Sequence, residues 1–224
     1  MGTLPPGGPE RQTSPDGSFR LARGCFATDL VGVAEGFAAY PPDEHGARIL
    51  RVNASAERIA EVYLALADVV TQPAFLVLET PTHRAVEEEL RQTDEDPFHV
   101  DTHYLDGLSA IDHRLLFEGR AELLTQCGMV LFGYGSHEAP EQVLVDGYKC
   151  ITVRTVDALE RFTDALRGVG IEEDPGLRTV WQTFSQETQG RTERVTVDGR
   201  TVYDLVEELG ERGLYFARRR EGSV

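Results

Sequence analysis

The sequence predicts an α+β protein, a mixed or antiparallel sheet with β-hairpins and about five flanking helices. Three observations carry this. Val143-Leu144-Val145 and Tyr148–Val153 flank Asp146-Gly147, the pattern of a hairpin closed by a type I′ turn. Apolar residues recur at helical spacing in separate stretches, most clearly at Ile59, Val62, Tyr63, Leu66 and Val70. Hairpins are interleaved with strand–helix units, which does not match the regular alternation of a doubly wound sheet.

The elements follow in order. Residues 1–17 are rich in Pro, Gly and polar side chains and read as a disordered leader, so residues 18–224 form a single domain. Phe19–Ala27 is a strand candidate, Pro41-Pro42-Asp43 a loop, and Ile49–Val52 a short strand. Asn53 or Ser55 caps the helix that carries Ile59 to Val70, and Pro73 ends it. Ala74–Leu78 is continuously apolar, as in a strand covered on both faces. Thr82 caps a helix that runs to Arg91, where Glu87 is spaced to pair with Arg91. A subdomain boundary falls near 92–97.

Phe98–Leu105 alternates as a strand, and Leu108–Gln126 reads as a helix that Gly119 weakens by about 1 kcal/mol relative to Ala. Met129–Phe132 is a strand, with Gly133-Tyr134-Gly135 as a turn after it. After the hairpin, Asp157 and Glu160 make a capping box for a helix that Gly170 ends. Residues 171–193 are polar around Val180, Trp181 and Phe184. Val195–Val197 is a strand, Val202–Leu209 a helix, and Leu214–Ala217 a last strand.

Charge narrows the function classes. The 224 residues hold 38 Asp and Glu against 22 Lys and Arg, a net charge of −16. Of those 22 cations, Lys149 is the one lysine. Arginine has GC-rich codons and lysine does not, so part of this balance reflects a GC-rich, bacterial coding background. No basic stripe is present. Arg218-Arg219-Arg220 is followed by Glu221 and reads as a solvated tail, which argues against nucleic-acid binding. Cys25, Cys127 and Cys150 are far apart with no CxxC spacing, which suits a reducing compartment and no zinc knuckle. No secretory signal and no apolar run of the ~20 residues that cross a membrane is seen, so a cytoplasmic location is expected.

Motifs with fixed chemistry are absent: no P-loop, no GxGxxG, no GxSxG and no HExxH. One metal-like constellation exists. On a strand, His99, Asp101 and His103 share a face, and imidazole with carboxylate suits zinc, iron or nickel. Four residues of strand span about 13 Å, and metal–ligand bonds are about 2 Å. His99 and His103 therefore do not reach one ion unless the strand is bulged. The second constellation is acidic. Six of the ten residues Glu87–Asp96 are Asp or Glu, against one base. Such a patch steers a basic partner.

The resulting expectation is a cytoplasmic protein-binding module, of immunity or inhibitor type, without a cofactor and not an enzyme. It would meet a basic partner through Glu87, Glu88, Asp94, Glu95 and Asp96. The alternative is a metal-dependent enzyme using His99, Asp101 and His103, and a third reading is a subunit of a larger assembly. The edge of the 143–153 hairpin is a place for a partner strand. Tyr148, Trp181, Phe184 and Tyr215 become interface anchors if they are exposed together.

Overall fold

The computed structural model describes residues 12–93, 96–157 and 159–222. Its frame is an eight-stranded sheet in which every neighbouring pair is antiparallel. The strands are β2 (Gly36–Tyr40), β3 (Arg48–Asn53), β4 (Ala74–Pro81), β5 (His99–Leu108), β6 (Leu131–Ser136), β7 (Glu141–Val145), β8 (Ile151–Thr155) and β10 (Tyr215–Glu221). They lie side by side as β10-β5-β4-β6-β7-β8-β3-β2. β1 (Cys25–Phe26) and β9 (Arg191–Thr192) form a separate small pair.

Among the described residues six α-helices join them: α1 (Ile59–Ala67), α2 (Arg84–Leu90), α3 (Ala110–Glu118), α4 (Ala121–Gln126), α5 (Glu160–Gly168) and α6 (Val202–Gly210). The α+β class with hairpins is thus present. No helix among the described residues is long and apolar enough to cross a membrane. Strands before and after 92–97 interleave in one sheet, and one apolar cluster joins residues from both sides.

That cluster lies on one face of the sheet. Leu76, Tyr134, Val143, Val153 and Leu50 share a row across β4, β6, β7, β8 and β3, and all are buried. Against them α1 sets Ile59, Val62, Tyr63 and Leu66, the stripe its spacing predicts. Phe117, Leu124, Phe162 and Leu205 bring in α3, α4, α5 and α6. Each such side chain contributes about 1.5–3 kcal/mol by leaving water. Ala38, Phe75 and Val77 point to the opposite face and are buried by their sheet neighbours, outside the cluster.

Several elements differ from the expectations, each for a local reason. Residues 1–11 of the leader lie outside the described residues. Gln12–Gly17 form a turn in which Ser14 is buried and takes the Phe19 amide at 2.9 Å. Gly133 and Gly135 sit inside β6, not in a turn. A Cβ on Gly135 would come within 2.7 Å of Phe75, and one on Gly133 within 2.5 Å of the Val143 carbonyl. The predicted 108–126 helix breaks at Gly119 into α3 and α4. α2 is capped by His83, not Thr82, through its ring nitrogen and the Ala85 amide. α5 begins at Glu160 with no side-chain cap, so the Asp157 capping box is not formed. Val195–Val197 is not a strand, and Val197 pairs with Arg200 in a tight turn. The 143–153 hairpin lies inside the sheet, between β6 and β3, so it has no free edge.

Candidate functional site

The hairpin loop is longer than the predicted two-residue turn. The Asp146 amide donates to the Cys150 carbonyl and the Lys149 amide to the Asp146 carbonyl, at 3.1 and 3.0 Å. Lys149 takes the left-handed conformation, φ +67°. That is a type I turn followed by a left-handed residue, a position that favours glycine. Gly147 is needed here for contact, since a Cβ on it would come 2.9 Å from the Gly128 carbonyl. The Asp146 carboxylate ties the loop together, accepting the amides of Tyr148 and Cys150 at 2.9 and 3.1 Å. The Lys149 side chain turns inward, is buried, and donates to the Val130 carbonyl at 2.9 Å. Burial lowers its pKa, against the thiols of Cys25 and Cys127 and Asp146, which raise it.

This loop meets the irregular segment after α5. Thr179 and Gln182 close a capping box on a short 3-10 helix, Val180–Thr183. It holds Trp181 so that the indole Nε1 donates to Asp146 Oδ2 at 2.6 Å. Burial raises the pKa of Asp146, and the Trp181 bond opposes that. Trp181 packs edge-on to both Tyr148 and Phe184, which are tilted against each other, with ring centroids 4.7 to 5.7 Å apart. Gly190 lets the chain pass close by, because a Cβ there would overlap the Phe184 ring and the Tyr148 hydroxyl.

The three rings form one wall of a cleft of about 710 Å³. The facing wall comes from the sheet: Glu79 of β4, Val100 of β5 and Arg220 of β10. Glu79 is buried, accepts the Thr102 hydroxyl at 2.9 Å and pairs with Arg220 at 2.7 Å. Met129 and Leu131 line the cleft between the walls. Trp181 keeps 44% of its surface exposed at the rim. An aromatic wall, a held carboxylate and an arginine suit recognition of a side chain with an apolar body and a polar end.

The sequence-predicted sites fall elsewhere. His99, Asp101 and His103 do share a face of β5, the face toward the helices. Their side chains have other partners. The Glu87 carboxylate takes the His99 amide at 2.7 Å and lies 3.3 Å from its Nδ1. Arg219 clasps Asp101 at 2.6 and 2.9 Å, and the Thr82 hydroxyl adds a bond at 2.8 Å. His103 stands edge-on to Phe216, and burial lowers its pKa. Among the described residues no group of three His, Cys, Asp or Glu is placed to hold a metal ion.

Of the acidic stretch, Glu87 is buried against His99. Glu88 is exposed and pairs with Arg84 at 2.7 Å. Asp96 accepts the amides of Gln92 and Thr93 and the Thr93 hydroxyl, which lower its pKa. Asp94 and Glu95 lie outside the described residues. Of the four aromatics singled out, three meet at the cleft and Tyr215 lies on β10. Sequence reasoning missed Glu79 with Arg220 and the inward turn of Lys149. The signal for the latter was its being the one lysine. No family model matches this chain, and neither a curated protein nor a solved structure does.

Proposed function

We propose that the protein is a binding module for a basic protein partner, and that the cleft beside Trp181 is where a projecting side chain of that partner anchors. The observation that carries this reading is the half-exposed Trp181, fixed by Asp146 and braced by Tyr148 and Phe184. Aromatic anchors held rigid in a concave site are the side chains on which interface energy concentrates. The net charge of −16 adds a field that speeds the approach of a basic surface. The acidic stretch around Glu88 contributes to that field at longer range. The immunity or inhibitor role remains the form of this reading in which the partner is a basic toxin or enzyme.

Panning a displayed random-peptide library on the wild type and on Trp181→Ala tests it. The wild type should enrich peptides that carry Lys or Arg beside an aromatic or large apolar residue. These should quench or shift the emission of the chain's single tryptophan and weaken as salt rises. Enrichment of the same peptides by Trp181→Ala would sink the proposal.

A further inference from the structure

All six helices lie toward the face that holds the apolar cluster, and the opposite face of the sheet is uncovered by any of them. That face is divided into unlike halves. Across β10, β5 and β4 runs an aromatic row. Tyr215 and Tyr104 have centroids 6.4 Å apart, Tyr104 and Phe75 5.5 Å, and His137 lies on Phe75 at 4.5 Å. Asp106 joins its ends, accepting the Tyr215 hydroxyl at 2.8 Å and lying 3.5 Å from His137 Nε2.

Across β8 and β3 the face is cationic. Arg154 pairs with Asp43, and Arg51 lies over the Tyr40 ring at 5.4 Å. The Arg51 Nε is shut off from solvent and has no hydrogen-bond partner. Between the halves, Gly133 and Gly135 carry no side chain, so Leu144 of β7 leans over Gly133 and Phe75 of β4 over Gly135.

The register makes this pattern complementary to itself. Tyr104, Val77, Gly133, Leu144, Thr152 and Arg51 form one row across the face. Phe75, Gly135, Gln142, Arg154 and Ile49 form the next. Four strands lie on each side of the line between β6 and β7. A two-fold axis along that line sets β6 over β7, β4 over β8 and β5 over β3 of a second copy, and keeps each row in place. Tyr104 then meets Arg51, the His137–Phe75 stack meets Arg154, and the two Leu144 side chains, each leaning over its own Gly133, meet at the axis. Guanidinium over an aromatic face is attractive, and aligned sheets pack face to face in this manner.

The eight strands, at about 4.8 Å spacing and about 17 Å length, project roughly 650 Å². With side-chain relief that approaches the about 800 Å² per partner of a stable interface. We infer that the protein forms a homodimer through this uncovered face, the aromatic half of one copy against the arginine half of the other. The axis keeps both Trp181 clefts at the same end of the dimer, beside the interface, because Glu79, Val100 and Leu131 lie on this same face. The dimer itself does not depend on what the clefts bind.

Sedimentation velocity over a micromolar concentration series tests this, on the wild type, Leu144→Glu, Arg51→Glu and Leu144→Met. Circular dichroism would establish that each is folded, and both positions are half-exposed enough to accept the change. The wild type and Leu144→Met should reach twice the chain mass. Either glutamate variant should weaken the association at least tenfold. A wild type that stays monomeric throughout, or a dimer that both folded glutamate variants leave intact, overturns the inference.

Discussion

Acid should weaken this fold through one buried histidine. His113 of α3 is 1% exposed. Its Nε2 lies 2.9 Å from the Tyr63 hydroxyl, and its ring stacks on Tyr134 with centroids 4.0 Å apart. Burial, with a smaller push from Arg114, brings its pKa from the usual 6.5 down to about 4. Between those values the unfolded chain takes up a proton that the native state refuses. Stability is therefore full above pH 6.5 and falls as the pH drops toward 4. Each pH unit in that window removes about 1.4 kcal/mol. Going from pH 7 to pH 5 removes about 2 kcal/mol, a large part of the ~5–15 kcal/mol that holds a domain together.

Urea unfolding at both pH values, on the wild type and His113→Gln, isolates this contribution. Glutamine still meets the Tyr63 hydroxyl but does not titrate. It loses the ring stacking, so the variant should be less stable at pH 7 by about 1–2 kcal/mol. On acidification it should lose about 2 kcal/mol less than the wild type. Carboxylates and His103, whose pKa burial also lowers, titrate in both proteins and cancel in the difference. Equal losses in the two proteins would mean that His113 charges freely in the native state, and the argument would fail.

Two further outcomes follow from packing and pairing. Gly133→Ala should destabilise by about 1–3 kcal/mol, net of the entropy that alanine saves in the unfolded chain. The added methyl meets the Val143 carbonyl at 2.5 Å in mid-sheet, and thermal melts of Gly133→Ala alone and with Leu144→Ala check it. The double variant should recover little, since the carbonyl does not move with the side chain. Arg219→Met should cost about 1–3 kcal/mol at pH 7, because Asp101 is left largely buried with one partner. Burial pushes the Asp101 pKa up, but the bonds from Arg219 and Thr82 outweigh it and hold it low. The stability it contributes is present at neutral pH and lost in acid, so the difference between variant and wild type should shrink below pH 4.

Much of the sheet and most helices were legible because their signals are local. Ile59 to Val70 carries a helical period and Ala74–Leu78 an apolar run, and each acts within its own segment. What was hidden depends on contacts between distant segments. Gly133 and Gly135 look like turn residues, yet they are small because Val143, Leu144 and Phe75 lie against them. Glu87 looks like part of a solvated acidic face, yet it faces His99 across a helix–strand contact. The cleft joins β4, the hairpin loop and the irregular segment around Trp181. No pattern within the last of these says which loop it will pack on.

Lys149 shows how such a hidden role can still leave a mark. The other 21 of the 22 cations are arginines, and the described ion pairs of the arginines lie at or near the surface. At 149 the side chain must leave a left-handed backbone, run inward and end at one carbonyl, that of Val130. An arginine there would bring five donors and a charge it does not give up into a space with one acceptor. A lysine ends in a compact amine that a single carbonyl holds, and burial lowers its pKa. The left-handed backbone at Lys149 costs about 1–2 kcal/mol, and the bonds to the Asp146 carboxylate hold the loop in place under Trp181. A coding bias toward arginine would be overridden at a position with these constraints, which makes the exception a pointer to the cleft.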